Sequence, residues 1–180
     1  MCSKYHITRS SIMYKSQWIT VYEDWVSKQD GGTIGMFNRI EVLDAVIVVP
    51  ILEDGSLLMV ENYRHGAGTN LLELPGGFIN KNELESDAGR RELLEETGYT
   101  CSKVELINWF YTWPGRAAQR NFVIVAKGLK KRYGKNLDKF ESIKVHKISG
   151  DKIRREIESG GKIRSAATIS ALLHGYFLYV

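Results

Sequence analysis

Residues 77–99, GFINKNELESDAGRRELLEETGY, place three glutamates on one face of a predicted helix. Asn82 is the predicted N-cap, and Glu85, three residues on, completes a capping box. Gly98 sits where a left-handed C-terminal residue is wanted. At about 100° per residue, Glu92, Glu95 and Glu96 fall within roughly a third of the circumference, while Leu93 and Leu94 turn toward a core. Like charges at these spacings cost about 0.2–0.5 kcal/mol per pair, and no lysine follows four residues on to offset them. A hard divalent cation removes that penalty, because carboxylate oxygens are the donors Mg²⁺ and Mn²⁺ prefer. Mg²⁺ also commonly combines few protein carboxylates with the phosphates of a substrate. The residues alone therefore point to an acidic helix suited to a phosphate compound and its cation. A solvated acidic surface helix is the plain alternative. Gly89 inside the helix costs about 1 kcal/mol relative to alanine and reads as room for close packing.

Strands are predicted on both sides of this helix. Residues 18–22, 25–27 and 33–42 are β-prone, with Asp30-Gly31-Gly32 as a hairpin signal, so an early antiparallel sheet is predicted over residues 16–42. Residues 45–51 and 56–63 read as strands joined by the turn Glu53-Asp54-Gly55, and residues 71–74 as a short strand entering Pro75-Gly76-Gly77. Further strands are predicted over 104–111, 121–126 and 143–148, and helices over 150–159 and 165–179. This order suits an α+β chain forming an α/β/α sandwich. A length of 180 residues, 43% of them apolar and 26% charged, supports one sizeable core in a soluble globule. No run approaches the ~18 apolar residues of a membrane span. The start, Met1 to His6, lacks an apolar signal region, and Cys2 and Cys101 make no disulfide framework, so a cytoplasmic setting is expected. The basic excess in residues 127–135, within a net charge of +4, reads as a solvated or phosphate-facing loop before it reads as a nucleic-acid patch.

Gly77, five residues, Glu83, seven residues, then Arg91-Glu92-Leu93-x-Glu95-Glu96-x-Gly98 resembles the Nudix box at every fixed position. Tyr99 departs from it, standing where the pattern usually has an aliphatic residue. The resemblance implies a Nudix-type α/β/α sandwich with a mixed central sheet, preceded by a small N-terminal antiparallel sheet. It divides the chain into residues 1–42, for dimerisation and substrate contacts, and a catalytic domain over 43–180. It implies Mg²⁺ or Mn²⁺ as cofactor, with Gly76, Glu92 and Glu96 as metal ligands. Glu95 stands beside them as a further ligand or water-positioning group, and Arg91 orients the glutamates by charge-assisted hydrogen bonds. Glu73 to Gly77, Asn62-Tyr63-Arg64, Pro114-Gly115 and the tail from Gly161 to Leu172 look like the ADP-ribose pyrophosphatase and nucleoside-diphosphate-sugar hydrolase branch. That branch implies a homodimer whose N-terminal sheet helps build the partner's site. Arg116 to Arg120 stand where an ADP-ribose specialist is expected to carry an acid, which leaves GDP-mannose and other sugar nucleotides open.

Arg64, at a predicted strand end, can grip a phosphate bidentately, and Arg116 offers the same chemistry on a glycine-flanked loop. Trp18 and Phe37 are candidates for stacking on a nucleobase, with core or interface packing as the alternative. The four histidines show no paired-ligand spacing, and His174 reads as a satisfied residue of the last helix. Metal-bound carboxylates are poor bases, so a separate group must activate water. In the resembling branch that group is a glutamate in the loop of residues 135–142. Glu141 aligns best, with Asp138 as the fallback. The expected reaction is Mg²⁺-dependent hydrolysis of a pyrophosphate bond in a nucleoside-diphosphate sugar, giving a nucleoside monophosphate and a sugar phosphate. A non-catalytic binding module is disfavoured by the intact box glutamates. An RNA-end pyrophosphohydrolase is disfavoured by the absence of an extended basic face.

Overall fold

A computed structural model describes residues 4–132 and 143–179. They fall into two compact units, one of residues 4–43 with 111–120 and one of residues 44–110 with 121–132 and 143–179. In the first unit, β1 (Tyr5–Lys15), β2 (Thr20–Lys28) and β3 (Thr33–Glu41) form an antiparallel meander in the order β1-β2-β3. The strand β1 was not predicted. Its sequence, YHITRSSIMYK, has no sustained apolar alternation, and all of it but the half-buried Ser11 is exposed. Asp24 is the buried polar residue of this sheet. It accepts hydrogen bonds from Ser10 Oγ and, at 2.7 Å, from Arg39 Nε, and the Arg39 guanidinium stacks 4.0 Å over the Tyr22 ring. Burial opposes ionisation of Asp24, but the Arg39 and Ser10 hydrogen bonds win and hold its carboxyl below the usual range.

The second unit is the sandwich. The strands β4 (Ala45–Pro50), β5 (Leu57–Arg64), β6 (Thr69–Glu73), β7 (Gly76–Phe78), β8 (Tyr99–Tyr111), β9 (Arg120–Lys131) and β10 (Lys144–Ile148) make two sheets, ordered β7-β4-β9-β8 and β10-β5-β6. The first is mixed, since β4 runs antiparallel to β7 and parallel to β9. The second is antiparallel throughout. The near-continuous apolar runs AVIVVP in β4 and NFVIVA in β9 mark strands covered on both faces. Alternation sorts them. Val46, Val48, Ile124 and Ala126 pack with Ala88 and Leu93 of α1 (Glu85–Thr97). Ile47, Val49, Val123 and Val125 pack with Ile153 of α2 (Gly150–Glu158) and with Ala171 and Leu172 of α3 (Ala166–Leu172). Helices on both faces of a mixed sheet are the expected α/β/α arrangement.

Three local expectations are corrected. Asn82 is not the N-cap of α1. It adopts φ 66°, and the extended Leu84 caps the helix without a side-chain bond. The helix starts later because Glu83 is drawn to Arg91 and to the Asn80 amide, which keeps residues 80–83 in a turn. Leu94 is exposed and only Leu93 is fully buried, since adjacent helical positions diverge by about 100° and one stripe faces the sheet. The last helix is α-helical only to Leu172 and widens to a π-helical turn over Leu173–Phe177. At Gly89 a Cβ would lie 3.0 Å from Ile124 Cδ1, so the glycine does allow α1 to approach β9 closely.

Candidate active site

The acidic face of α1 meets the Pro75-Gly76-Gly77 turn in the second unit. Pairing with β4 aligns Gly76 with Ile47 and Gly77 with Val46, which sets these two glycines against the helix. The Gly76 amide donates to Glu96 Oε2 at 3.0 Å. A Cβ on Gly77 would lie 2.6 Å from Glu92 Cδ, so the Glu92 carboxylate occupies the space a side chain there would take. A Cβ on Gly76 would overlap the Val46 carbonyl oxygen and lie 3.1 Å from Ile47 Cα. The two glycines form a backbone cradle with Glu92 and Glu96 seated in it, and Glu96 is almost fully buried.

Arg91 organises the charges around this cradle. Its Nε and Nη2 donate to Glu83 at 2.8 and 3.0 Å, its Nη1 donates to Glu92 at 2.6 Å and Glu95 at 3.0 Å, and Nη2 also reaches the Phe78 carbonyl at 2.9 Å. The Glu83 bond does most to raise the Arg91 pKa, which burial opposes and the Glu92 and Glu95 bonds reinforce. In return the Arg91 bond holds the Glu83 carboxyl below its usual range. One cation thus ties together three carboxylates from two turns of helix and the loop before it.

Glu92 and Glu96 beside the glycine cradle offer carboxylate oxygens, the donor type a hard divalent cation takes. In this conformation the glutamates are committed to Arg91 and Gly76. Among the described residues no three His, Cys, Asp or Glu side chains are grouped closely enough to hold a metal ion.

The second unit also holds Arg64, the last residue of β5, whose Nε donates to Glu73 Oε2 at 2.5 Å. Glu73 entered the sequence reading only as the first residue of the Glu73 to Gly77 branch marker, with no role of its own. In the first unit the Arg116 carbonyl accepts from the Ile40 amide at 2.8 Å, which fixes that loop to the end of β3. The side chains of Arg116, Trp18 and Phe37 are exposed. Glu141 and Asp138 lie outside the described residues. His174 is paired through Nδ1 with Asn108 Nδ2 at 3.2 Å. Among the described residues no helix is long and apolar enough to cross a membrane.

The NUDIX domain family model matches residues 42–148. The chain is 34% identical over 129 residues to the methanol dehydrogenase activator of Bacillus methanolicus, covering 71% of this chain and 69% of that one. It is 34% identical over 116 residues to the ADP-ribose pyrophosphatase of Bacillus subtilis (strain 168), covering 64% of this chain and 63% of the relative. It is 32% identical over 106 residues to the ADP-sugar pyrophosphatase of Mus musculus, covering 53% and 49%. The match thus spans from about half to just over two thirds of these relatives. A crystal structure of ADP compounds hydrolase superposes with a TM-score of 0.82 over 96% of this chain and 92% of that one, at 21% identity, a likeness of fold.

Proposed function

The chain belongs to the Nudix family, and from that membership we propose that it hydrolyses the pyrophosphate bond of ADP-ribose or a related nucleoside-diphosphate sugar. The observation that carries this reading is the Gly76-Gly77 cradle closed on Glu92 and Glu96, with Arg91 ordering the surrounding acids. Two relatives named for ADP-ribose and ADP-sugar pyrophosphatase activity support the substrate class. GDP-mannose is the alternative.

Glu92, Glu95 and Glu96, with the Gly76 backbone, would hold Mg²⁺ or Mn²⁺. When bound, the ion polarises phosphoryl oxygens and lowers the pKa of a coordinated water. The chain's own residues divide the remaining work. Arg91 keeps Glu92 and Glu95 oriented at fixed distances. The Glu96 carboxylate is held by the Gly76 amide. Arg64 binds the diphosphate and stabilises charge that builds on it during attack. Glu141 accepts the proton of the attacking water. A bond from water oxygen to one phosphorus forms as the bridging P–O bond breaks, releasing a nucleoside monophosphate and a sugar phosphate. Trp18 or Phe37 stacks on the base.

The N-terminal sheet is proposed to mediate a homodimer. Ile12, Tyr14, Trp25 and Met36 of this sheet are apolar and exposed, a surface that a second copy can cover. A reducing cytoplasm suits the two cysteines.

A panel of ADP-ribose, GDP-mannose, UDP-glucose, a dinucleoside polyphosphate and triphosphorylated RNA, each assayed with Mg²⁺, tests the reading. The highest kcat/KM is expected for ADP-ribose, with AMP and ribose 5-phosphate as products. Turnover confined to the RNA or the dinucleoside polyphosphate would refute it.

A further inference from the structure

Glu73 is an expensive residue for the place it occupies. It sits on β6 with only 9% of its side chain exposed, and its side-chain partner, Arg64, is 43% exposed. Taking a carboxylate out of water is costly, and a cation that remains half in water returns little of that cost. An apolar side chain at position 73 would serve stability as well or better. The geometry gives the carboxylate a different use.

It engages Arg64 through Nε at 2.5 Å, the nitrogen nearest the stem of the side chain. Among the described residues the terminal nitrogens Nη1 and Nη2 carry no protein hydrogen bond. A guanidinium anchored at Nε keeps a fork of terminal N–H donors, the arrangement that matches two oxygens of a phosphate.

The anchor itself stands on a rigid base. Glu73 pairs with Val60 across the β5-β6 ladder. On the other edge of β6, the Leu72 amide donates to the Lys162 carbonyl at 3.1 Å and the Leu74 amide to Thr168 Oγ1 at 3.4 Å. The Arg64 backbone is also held, since its carbonyl accepts from the Gly68 amide at 2.9 Å, where the chain turns with φ 66°. Both ends of the ion pair are thus fixed to the sheet.

We propose that Glu73 is a positioning residue for diphosphate binding, acting through Arg64 by fixing its guanidinium with the terminal nitrogens free for a substrate phosphate. The inference rests on the proposed function and adds to it the residue that sets the reach of Arg64.

Steady-state kinetics on ADP-ribose test it with Glu73→Gln, Arg64→Ala, Arg64→Lys and the double variant Arg64→Ala/Glu73→Gln. Glu73→Gln should raise KM about tenfold, because a loosened guanidinium binds less well, and leave kcat within about threefold. Arg64→Lys keeps the charge but lacks the fork, and it should raise KM to a similar degree. Adding Glu73→Gln to Arg64→Ala should cause no further loss. The Mg²⁺ concentration for half-maximal activity should not move in Glu73→Gln.

An unchanged KM in Glu73→Gln, or an equal further loss on the Arg64→Ala background, overturns the proposal. So does a shifted Mg²⁺ requirement, which would put the effect in the β6 backbone leading to Gly76. Should Glu73→Gln not fold, a wild-type KM in Arg64→Lys overturns it alone. A wild-type chain without turnover on any nucleoside-diphosphate sugar refutes the proposed function and this inference together. Unchanged variants beside an active wild type refute the inference only.

Discussion

Gly76 and Gly77 are adjacent, yet a methyl group on each meets a different kind of obstacle. At Gly77 it meets the end of the Glu92 side chain, which can swing away. Gly77→Ala should therefore leave thermal stability nearly unchanged while lowering kcat/KM by about 10²-fold, since the displaced carboxylate is one the site needs in place. At Gly76 the methyl meets the Val46 carbonyl and Ile47 Cα, which are main chain. Gly76→Ala should destabilise the fold by about 1–3 kcal/mol, the usual cost of overpacking. Thermal melts and kinetics on the two variants check the contrast. Glu83 makes a prediction in pH. Its carboxyl is depressed by the Arg91 hydrogen bond. The resulting stability is present above the usual carboxylate value of about 4.3 and is lost as pH falls through the lower folded value. Glu83→Gln should be less stable at neutral pH, and its stability should fall less steeply in acid. Denaturant melts from neutral to acid pH would show an unchanged slope if the Arg91 bond were of no consequence.

The helix α1 was legible because the glutamate spacing, the Gly98 terminator and the buried Leu93 obey one period. Its start was not, because Glu83 prefers Arg91, a partner eight residues away, to the local capping pattern around Asn82. The strands β4 and β9 announced themselves as apolar runs, whereas β1 has no apolar face to read and forms through its ladder with β2. In the site, the glutamates could be named from their helical spacing and Arg91 from the resemblance to the Nudix box. The cradle of Gly76 and Gly77 against Glu92, and the Glu73–Arg64 pair, depend on how strands are laid side by side, and no local pattern encodes that. Glu141 and Asp138 lie outside the described residues, and their prediction rests on the resemblance to the branch. Glu141→Gln should lower kcat by about 10²–10⁴-fold, the worth of a positioned base, with KM nearly unchanged, and Asp138→Asn should have a small effect. A dead Asp138→Asn beside a Glu141→Gln that loses less than about tenfold would reverse the two roles.

For the molecule as a whole, we propose that a second copy covers the exposed apolar residues of the N-terminal sheet. Light scattering at assay concentration should give the mass of a dimer, and a fully active monomer would exclude a shared site. The central proposal concerns the second unit, where Glu92 and Glu96, seated against Gly77 and Gly76, and Glu95, held with Glu92 by Arg91, are proposed to carry a metal-dependent pyrophosphatase activity. The most direct measurement is ADP-ribose turnover by wild type and by Glu96→Gln, each with Mg²⁺ and with excess EDTA, alongside thermal melts. Wild type should turn over only with Mg²⁺. Glu96→Gln should fold and lose at least about 10³-fold in kcat, as expected when a group central to charge stabilisation is removed. Full wild-type activity in EDTA, or near-wild-type turnover by folded Glu96→Gln, would contradict the account.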